Sequence, residues 1–140
     1  MGAVVSGENK RKHLEFIQGV VNRMAGNLFF LKGWAITLIA GLFALAAKDA
    51  NTKFFALAFG VAIVLWALDG YFLRQERLFR SLYDHVRKLD ETEIDFSQDT
   101  SPFKKEPKNK WYRCVISVSL LLFYVPLLSL MIVVMRFLSG

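Results

Sequence analysis

Two apolar runs of equal length, each with a single charge, constrain the fold of this chain more than any other feature. Leu28–Ala47 and Phe54–Leu73 have 20 residues each and are joined by the polar hinge 48–53. About 20 apolar residues suffice for an α-helix to cross a bilayer. Lys32 is fifth from the start of the first run and Asp69 is fifth from the end of the second, so an antiparallel hairpin brings both charges to one depth. Because an unpaired charge in lipid is costly, the sequence predicts a Lys–Asp contact between the two helices.

A third apolar run completes the predicted architecture. Val115–Met135 has 21 residues and no charge, and Trp111 and Tyr112 precede it, as aromatic residues do at a membrane surface. The three runs occupy nearly half of the chain, which leaves too few residues for a sizeable soluble core. We therefore expect an all-α membrane protein with three transmembrane helices. Its predicted divisions are a disordered N-terminus over 1–11, a helical hairpin over 12–90, a charged linker over 91–110 and a third span within 111–140.

Apolar residues at three- and four-residue spacing extend both hairpin helices beyond the membrane. The seam that enters the first span comprises Leu14, Ile17, Val21, Met24, Leu28 and Leu31. The seam that leaves the second span comprises Phe72, Gln75, Phe79, Leu82, Val86 and Leu89. An antiparallel hairpin places the two seams side by side, so we expect them to pack together. His13 and His85 have no ligand-spaced partners and are predicted to be surface residues.

The distribution of basic residues predicts the orientation. Of the 18 lysines and arginines, 15 lie before Gly33 or between residues 74 and 113. Because basic residues are retained on the cytoplasmic side, we expect a cytoplasmic N-terminus, cytoplasmic helical extensions and a cytoplasmic linker. The C-terminus then lies on the far side of the membrane.

The sequence contains no motif for catalysis or for a cofactor. It has no phosphate-binding glycine loop, no nucleophile elbow and no histidine–glutamate metal motif. Cys114 is the only cysteine, which excludes an intrachain disulfide and a thiolate metal site. We expect a protein that is not an enzyme and that has no catalytic residue, no metal and no cofactor.

The predicted pair of Lys32 and Asp69 has two interpretations. It either clamps the hairpin together or serves as a gate or ion-pathway element, because ionisable residues inside a membrane are candidates for function. Arg74 follows Asp69 by little more than one turn and competes as a partner for the carboxylate.

Small residues on the first span form a second candidate feature. Gly33, Thr37 and Gly41 recur at four-residue spacing, which allows helices to approach closely. This small-residue stripe either packs inside the hairpin or faces another subunit, where it would suit the lining of a weakly selective pore. Three helices cannot enclose a pore alone, so conduction would require several copies around an axis.

Basic residues on the cytoplasmic side are candidates for binding a polyanion. The candidates are Arg77, Arg80, Arg87, Lys88, Lys104 and Lys105. An oligomer would concentrate them around its axis and raise the local potential, and neighbouring aromatic side chains would suit stacking on bases. The alternative is that they set the orientation and attract anionic lipid headgroups.

Six short segments resemble a family of small bacterial membrane proteins. They are Lys12–Gln18 (KHLEFIQ), Asn22–Ala25 (NRMA), Lys32–Trp34 (KGW), 45–51 (LAAKDAN), Trp66–Asp69 (WALD) and Leu73–Arg77 (LRQER). Across roughly residues 12–90 the chain resembles membrane effectors of anti-phage defence operons, which occur beside nucleotidyltransferases, as in the Hailong system. The layout is also similar to that of two-span effectors associated with nucleotide signals.

The resemblance implies a homo-oligomer, a tetramer or a similar assembly, that forms an ion channel in the bacterial inner membrane, with its C-terminus in the periplasm. It also implies control by an oligonucleotide that a partner nucleotidyltransferase makes. The alternative expectation, from another class of function, is a non-conducting membrane anchor or scaffold that docks a soluble partner through its cytoplasmic helices. Toxicity of the isolated gene separates the two, because only an uncontrolled pore should poison the cell.

Overall fold

A computed structural model describes residues 7–49 and 51–140, and within these ranges all regular structure is helical. The elements are, in chain order, α1 (Glu8–Asp49), α2 (Lys53–Val86), three 3-10 turns (Glu91–Glu93, Ser101–Phe103 and Pro107–Asn109), α3 (Trp111–Val115) and α4 (Val118–Ser139).

Three of these helices, α1, α2 and α4, are long and apolar enough to cross a membrane. Large apolar side chains on them are exposed in the isolated chain, among them Phe29, Leu122 and Phe137. Such surfaces are expected where lipid rather than protein covers a helix. The chain is therefore an all-α, multi-pass membrane protein, as the three apolar runs predict.

The two long helices form the predicted antiparallel hairpin. Phe43 contacts Phe55 edge-on, with ring centroids 5.1 Å apart, and Ile39 packs in one buried cluster with Ala58 and Ala62. Residue numbers thus rise along α1 as they fall along α2. The two buried alanines of α2 allow the helices to approach closely, which is how helices associate in lipid.

The third long helix packs on the hairpin mainly through α2. Met131 of α4 joins the cluster of Ile39, Ala58 and Ala62, and Tyr124 of α4 reaches Asp69 of α2. α4 therefore runs antiparallel to α2. The membrane part is a bundle of three helices whose centre is filled by side chains.

Outside the spans, the hairpin continues into a region that we call the polar end, formed by residues 8–27 and 74–110, which include the linker 91–110. Ile17 of α1 is buried there against Leu82 and Val86 of α2. Burying one such side chain stabilises a fold by about 1.5–3 kcal/mol. The predicted packing of the two seams is thus confirmed, although α2 ends at Val86 and residues 87–89 form a turn.

The start of α1 differs from the prediction of disorder over residues 1–11. Residues 1–6 lie outside the described residues, but the helix begins at Glu8 rather than near Lys12. The carboxylate of Glu91 accepts hydrogen bonds from the backbone N–H groups of Asn9 (3.0 Å) and Lys10 (3.3 Å). The first turn of a helix has N–H groups without internal partners, and Glu91 supplies acceptors for two of them from the linker.

His13 is buried rather than exposed, so the prediction of a surface histidine is wrong at this position. Its Nε2 lies 2.8 Å from the carbonyl oxygen of Ser97, and its ring packs on Phe96 with centroids 5.5 Å apart. Phe96 has a positive φ of 56°, which turns the linker across α1. His85 is exposed, as predicted.

Short-range hydrogen bonds shape the linker into turns. Asp90 and Glu93 form a reciprocal capping box at the first 3-10 turn. Asp99 accepts a hydrogen bond of 2.9 Å from the backbone N–H of Ser101, and hydrogen bonding to Ser101 lowers the pKa of Asp99. These turns carry residues 90–101 over the polar end.

The third span begins later than residue 115. α3 ends at Val115, and Ser117 is extended, with a ψ of 148°, before α4 starts at Val118 and continues to Ser139. The break lets Val115 pack directly on Gly70 of α2, where a Cβ atom would come within 2.5 Å of Val115 Cγ2.

Replacement of Gly70 by alanine should therefore push α3 away from α2. We expect Gly70→Ala to lower the free energy of unfolding by about 1–3 kcal/mol, the usual effect of overpacking. Gly60→Ala is the matched control, because a Cβ atom at Gly60 meets nothing within 4 Å and alanine favours the helix by about 1 kcal/mol. Thermal unfolding in detergent, followed by circular dichroism, measures both. Equal melting temperatures for the two variants would contradict this packing.

Candidate functional site

The predicted contact between Lys32 and Asp69 is present in the membrane part of the bundle. Lys32 Nζ donates a hydrogen bond of 3.1 Å to Asp69 Oδ2. The Asp69 side chain is fully buried, whereas that of Lys32 is 23% exposed. The lysine therefore keeps access to the surface of the bundle, and the carboxylate does not.

Tyr124 of α4 is the third member of this cluster. Its hydroxyl group donates a hydrogen bond of 2.7 Å to the same Oδ2 atom of Asp69, and the side chain is completely buried. Among the described residues, Asp69 Oδ1 has no hydrogen-bond partner. One carboxylate oxygen thus joins α1, α2 and α4. We refer to Lys32, Asp69 and Tyr124 as the charged cluster.

Sequence reasoning missed Tyr124, although a signal was available. It is the only tyrosine in the run 115–135, and a buried tyrosine hydroxyl requires a polar partner. The signal indicates that the hydroxyl needs a partner where it is buried, but it does not say which helix supplies that partner.

Aromatic rings surround the charged cluster and fix its geometry. Trp66 stacks on Tyr124, with centroids 5.4 Å apart and planes inclined by 6°. The indole Nε1 of Trp66 donates a hydrogen bond of 3.0 Å to the carbonyl oxygen of Val115. Lys32 Nζ lies 5.6 Å from the ring centroid of Phe123, within the range of a cation–π interaction.

Arg74, the predicted competitor for Asp69, has another partner. Its Nε donates a hydrogen bond of 3.0 Å to the carbonyl oxygen of Asn109. Asn109 is itself buried, and its Nδ2 donates to Ser81 Oγ (3.1 Å) and to the carbonyl oxygen of Phe103 (2.9 Å). Arg74 therefore holds the linker on α2 and leaves the carboxylate to Lys32.

The small-residue stripe lies outside the packed core of the subunit. Gly33, Thr37 and Gly41 are all exposed, and a Cβ atom at either glycine would meet nothing within 4 Å. Thr37 Oγ1 donates a hydrogen bond of 2.9 Å to the carbonyl oxygen of Gly33. The interpretation that the stripe packs inside the hairpin is therefore wrong, because the helix face with Ala35 and Ile39 occupies that interface.

The basic candidates for polyanion binding fall into two groups. Three of them make contacts within the chain: Arg77 Nη1 donates to the carbonyl oxygen of Lys108 (3.0 Å), Arg80 pairs with Glu76 (2.7 Å) and Arg87 pairs with Asp84 (3.3 Å). The others, Lys88, Lys104 and Lys105, are exposed at the polar end. Only the Arg77 contact joins separate elements of the fold; the Arg80 and Arg87 pairs lie within α2 and at its end, and both arginines are more than half exposed.

Cys114 and the other potential ligands do not form a metal site in the described part of the chain. Within residues 7–49 and 51–140, no three His, Cys, Asp or Glu side chains come together as metal ligands would. Cys114 is buried beside Arg77, and burial raises the pKa of its thiol.

No protein-family model, curated protein or solved structure matches this chain. The Asp69 carboxylate accepts hydrogen bonds from two other spanning helices and can hold the three helices together. Loss of either hydrogen bond would free the helix that donates it.

The charged cluster predicts unequal effects of removing its two charges. Lys32→Gln should lower the free energy of unfolding by about 3 kcal/mol, because it leaves a buried carboxylate without its cation. Asp69→Asn should be less harmful, since Lys32 is partly exposed and can turn toward the membrane surface. The double variant should lose less free energy of unfolding than the two single variants lose together, as expected for coupled residues. Chemical or thermal unfolding in detergent measures this cycle.

Tyr124→Phe should lower the free energy of unfolding by about 1.5–3 kcal/mol through loss of a hydrogen bond to a charged group. Tyr71→Phe, at an exposed tyrosine of α2, is its control and should change little. Additive effects of the Lys32 and Asp69 substitutions would show that the contact contributes no coupling.

Proposed function

We propose that this protein is a membrane effector of an anti-phage defence system, which assembles as a homo-oligomeric ion channel and depolarises the bacterial inner membrane. The single observation that supports the proposed channel is the position of the small-residue stripe. Gly33, Thr37 and Gly41 lie on the surface of the subunit, while Ile39, Ala58, Ala62 and Met131 fill its centre. A water path through one subunit is blocked by these side chains, so an ion path must run between copies.

The stripe is suited to such a path for two reasons. Its side chains are small, which leaves space beside the helix, and the Thr37 hydroxyl offers a polar group in an apolar span. Weakly polar linings of this kind conduct when wetted and close when dry. Assembly as a tetramer or a similar ring would place the stripes around a common axis.

The charged cluster is a suitable gate for this channel. Lys32 directly precedes Gly33 of the stripe, and its side chain is partly exposed. A rotation of α1 that moved Lys32 away from Asp69 would also turn the stripe, so the pair couples the position of α1 to that of α2 and α4. Two states of this kind are what a ligand-controlled channel requires.

Control by an oligonucleotide is part of the proposal and rests on the resemblance to effectors encoded beside nucleotidyltransferases. The exposed lysines at residues 88, 104 and 105 support it, because their charges are open to a ligand, whereas Arg77, Arg80 and Arg87 have polar partners within the chain. Binding would involve several subunits, which concentrates these lysines near the axis.

The proposed orientation has the polar end in the cytoplasm and the C-terminus in the periplasm, as the distribution of basic residues favours. In a Cys114→Ser background, a cysteine at Gly140 should react with an impermeant thiol reagent on intact spheroplasts. A cysteine at Lys105 should react only after the membrane is permeabilised. The reverse pattern would invert the proposed topology.

Ion flux tests the channel directly. Purified protein in liposomes should dissipate a potassium gradient, with a change in flux when short single-stranded oligonucleotides are added. Gly41→Leu should reduce this flux at least severalfold by narrowing the path. Gly60→Leu is the control. Gly60 is exposed on α2, and the register that pairs Lys32 with Asp69 places it at the same depth in the bundle as Gly41.

The outcomes separate the parts of the proposal. Loss of flux in Gly41→Leu with an intact oligomer, measured by native mass spectrometry, supports a pore lining. Loss of the oligomer itself would identify the stripe as a packing face between subunits. A monomer without flux under any condition would contradict the channel.

A second candidate function is a membrane anchor that docks a soluble partner. The observation that favours it is an open cleft of about 500 Å³ at the polar end, whose wall includes Glu93, Asp95 and Asp99. Its acidic wall contrasts with the basic charge of the whole chain and would suit a basic segment of a partner. Expression of the gene alone distinguishes the two candidates: a channel should collapse the membrane potential, whereas an anchor should leave it unchanged.

A further inference from the structure

A basic cavity lies where α2, α3 and the start of α4 meet. It has a volume of about 710 Å³ and is lined by charged and apolar side chains on different sides. Arg77, Lys108 and Arg113 supply the charges, and Leu73, Ile116 and Val118 supply apolar surface. No acidic residue is among its lining residues. Glu106 pairs with Lys108 from outside the lining, so Arg77 and Arg113 supply the net positive charge.

These basic side chains retain capacity for a ligand. Arg77 uses Nη1 for the Lys108 carbonyl oxygen and for Cys114 Sγ, which leaves the rest of its guanidinium group for another acceptor. Lys108 is 3.2 Å from Glu106, and both of these side chains are more than one-third exposed. Arg113 is exposed at the rim. Arginine groups of this kind bind phosphate oxygens strongly.

The first turn of α4 adds neutral donors to the same cavity. Ser117, Val118 and Ser119 line it, and the backbone N–H groups at the start of a helix have no internal acceptors. Ser117 Oγ is buried and has no hydrogen-bond partner among the described residues. A helix N-terminus with such donors favours an anionic group.

An apolar groove continues from this cavity along α4. It has a volume of about 310 Å³, is lined by Val118, Leu121, Leu122, Val125 and Pro126, and presents no polar surface. Val118 lines both the cavity and the groove. The combined site is therefore cationic at one end and wholly apolar at the other.

The position of the cavity relative to the spans matches this division. Its α2 wall runs from Leu73, where the second apolar run ends, to Arg77 in the polar end. Tyr112 lines it on α3, and tyrosines are enriched at the boundary between lipid and water. The groove leads from there into the span formed by α4.

We propose that this combined site binds an anionic phospholipid, with the phosphate group held by Arg77, Lys108, Arg113 and the start of α4, and with an acyl chain along the groove. The occupant follows from charge complementarity at one end and from the continuous apolar surface at the other. The lipid would hold α3 and α4 against α2. This site is independent of whether the protein conducts ions.

Titration of the purified full chain in detergent tests the headgroup contact. Native mass spectrometry should detect tighter binding of phosphatidylglycerol than of phosphatidylcholine. Arg113→Gln should weaken phosphatidylglycerol binding about fivefold, the effect of one basic residue near an anionic surface, and Arg113→Lys should retain most of it. Lys110→Gln is the control, because Lys110 is an exposed basic residue nearby that does not line the cavity.

A second pair of variants tests the acyl chain. Val118→Trp fills the junction between cavity and groove and should weaken phosphatidylglycerol binding, whereas Val133→Trp, at an exposed valine farther along α4, should not. Glycerophosphoglycerol and inorganic phosphate, which lack acyl chains, should bind far more weakly than the lipid. Equal affinity for these soluble phosphates would identify a free-phosphate site instead. Equal affinity for both lipids, or no effect of Arg113→Gln, would overturn the proposal.

Discussion

The carboxylate of Asp69 is the contact on which the arrangement of the three spans depends. In a bilayer, an apolar helix surface gains little free energy when it exchanges contact with lipid for contact with another helix. Close packing and polar contacts therefore determine how the helices associate. One oxygen of Asp69 accepts hydrogen bonds from Lys32 and from Tyr124. These two bonds set the depth of α1 and α4 relative to α2. The contact of Phe43 with Phe55 and the seam of Ile17 with Leu82 then follow from the same register.

Much of this arrangement was open to prediction because it depends on spacing along single helices. The lengths of the apolar runs predicted the spans, the equal offsets of Lys32 and Asp69 predicted their contact, and the seams predicted the packed extensions. Tyr124 was not predicted because no spacing rule states how a third, uncharged helix rotates about a hairpin. Its burial depends on the three-helix packing itself.

The polar end was the least predictable region, since its structure comes from contacts between a linker and distant helix positions. His13 is buried because Ser97 and Phe96 cross over it, and α1 starts early because Glu91 accepts from Asn9 and Lys10. A charged linker with prolines looks unstructured when only local periodicity is considered. The proposed site beside α4 has the same origin. Packing of α3 on α2 brings Arg113 near Arg77, and the break at Ser117 places the start of α4 beside them.

The hydrogen bonds that the start of α1 donates to Glu91 have a consequence for the order of biosynthesis. Asn9 leaves the ribosome 82 residues before Glu91, whose side chain accepts a hydrogen bond from the Asn9 N–H group. Lys32 likewise precedes Asp69 by 37 residues, and Asp69 precedes Tyr124 by 55. Each of these polar groups is therefore translated before its partner. Lys32 is close to one end of its span, so its long side chain can reach the membrane surface before it pairs with Asp69. The placement that pairs the finished helices therefore also suits their insertion one after another.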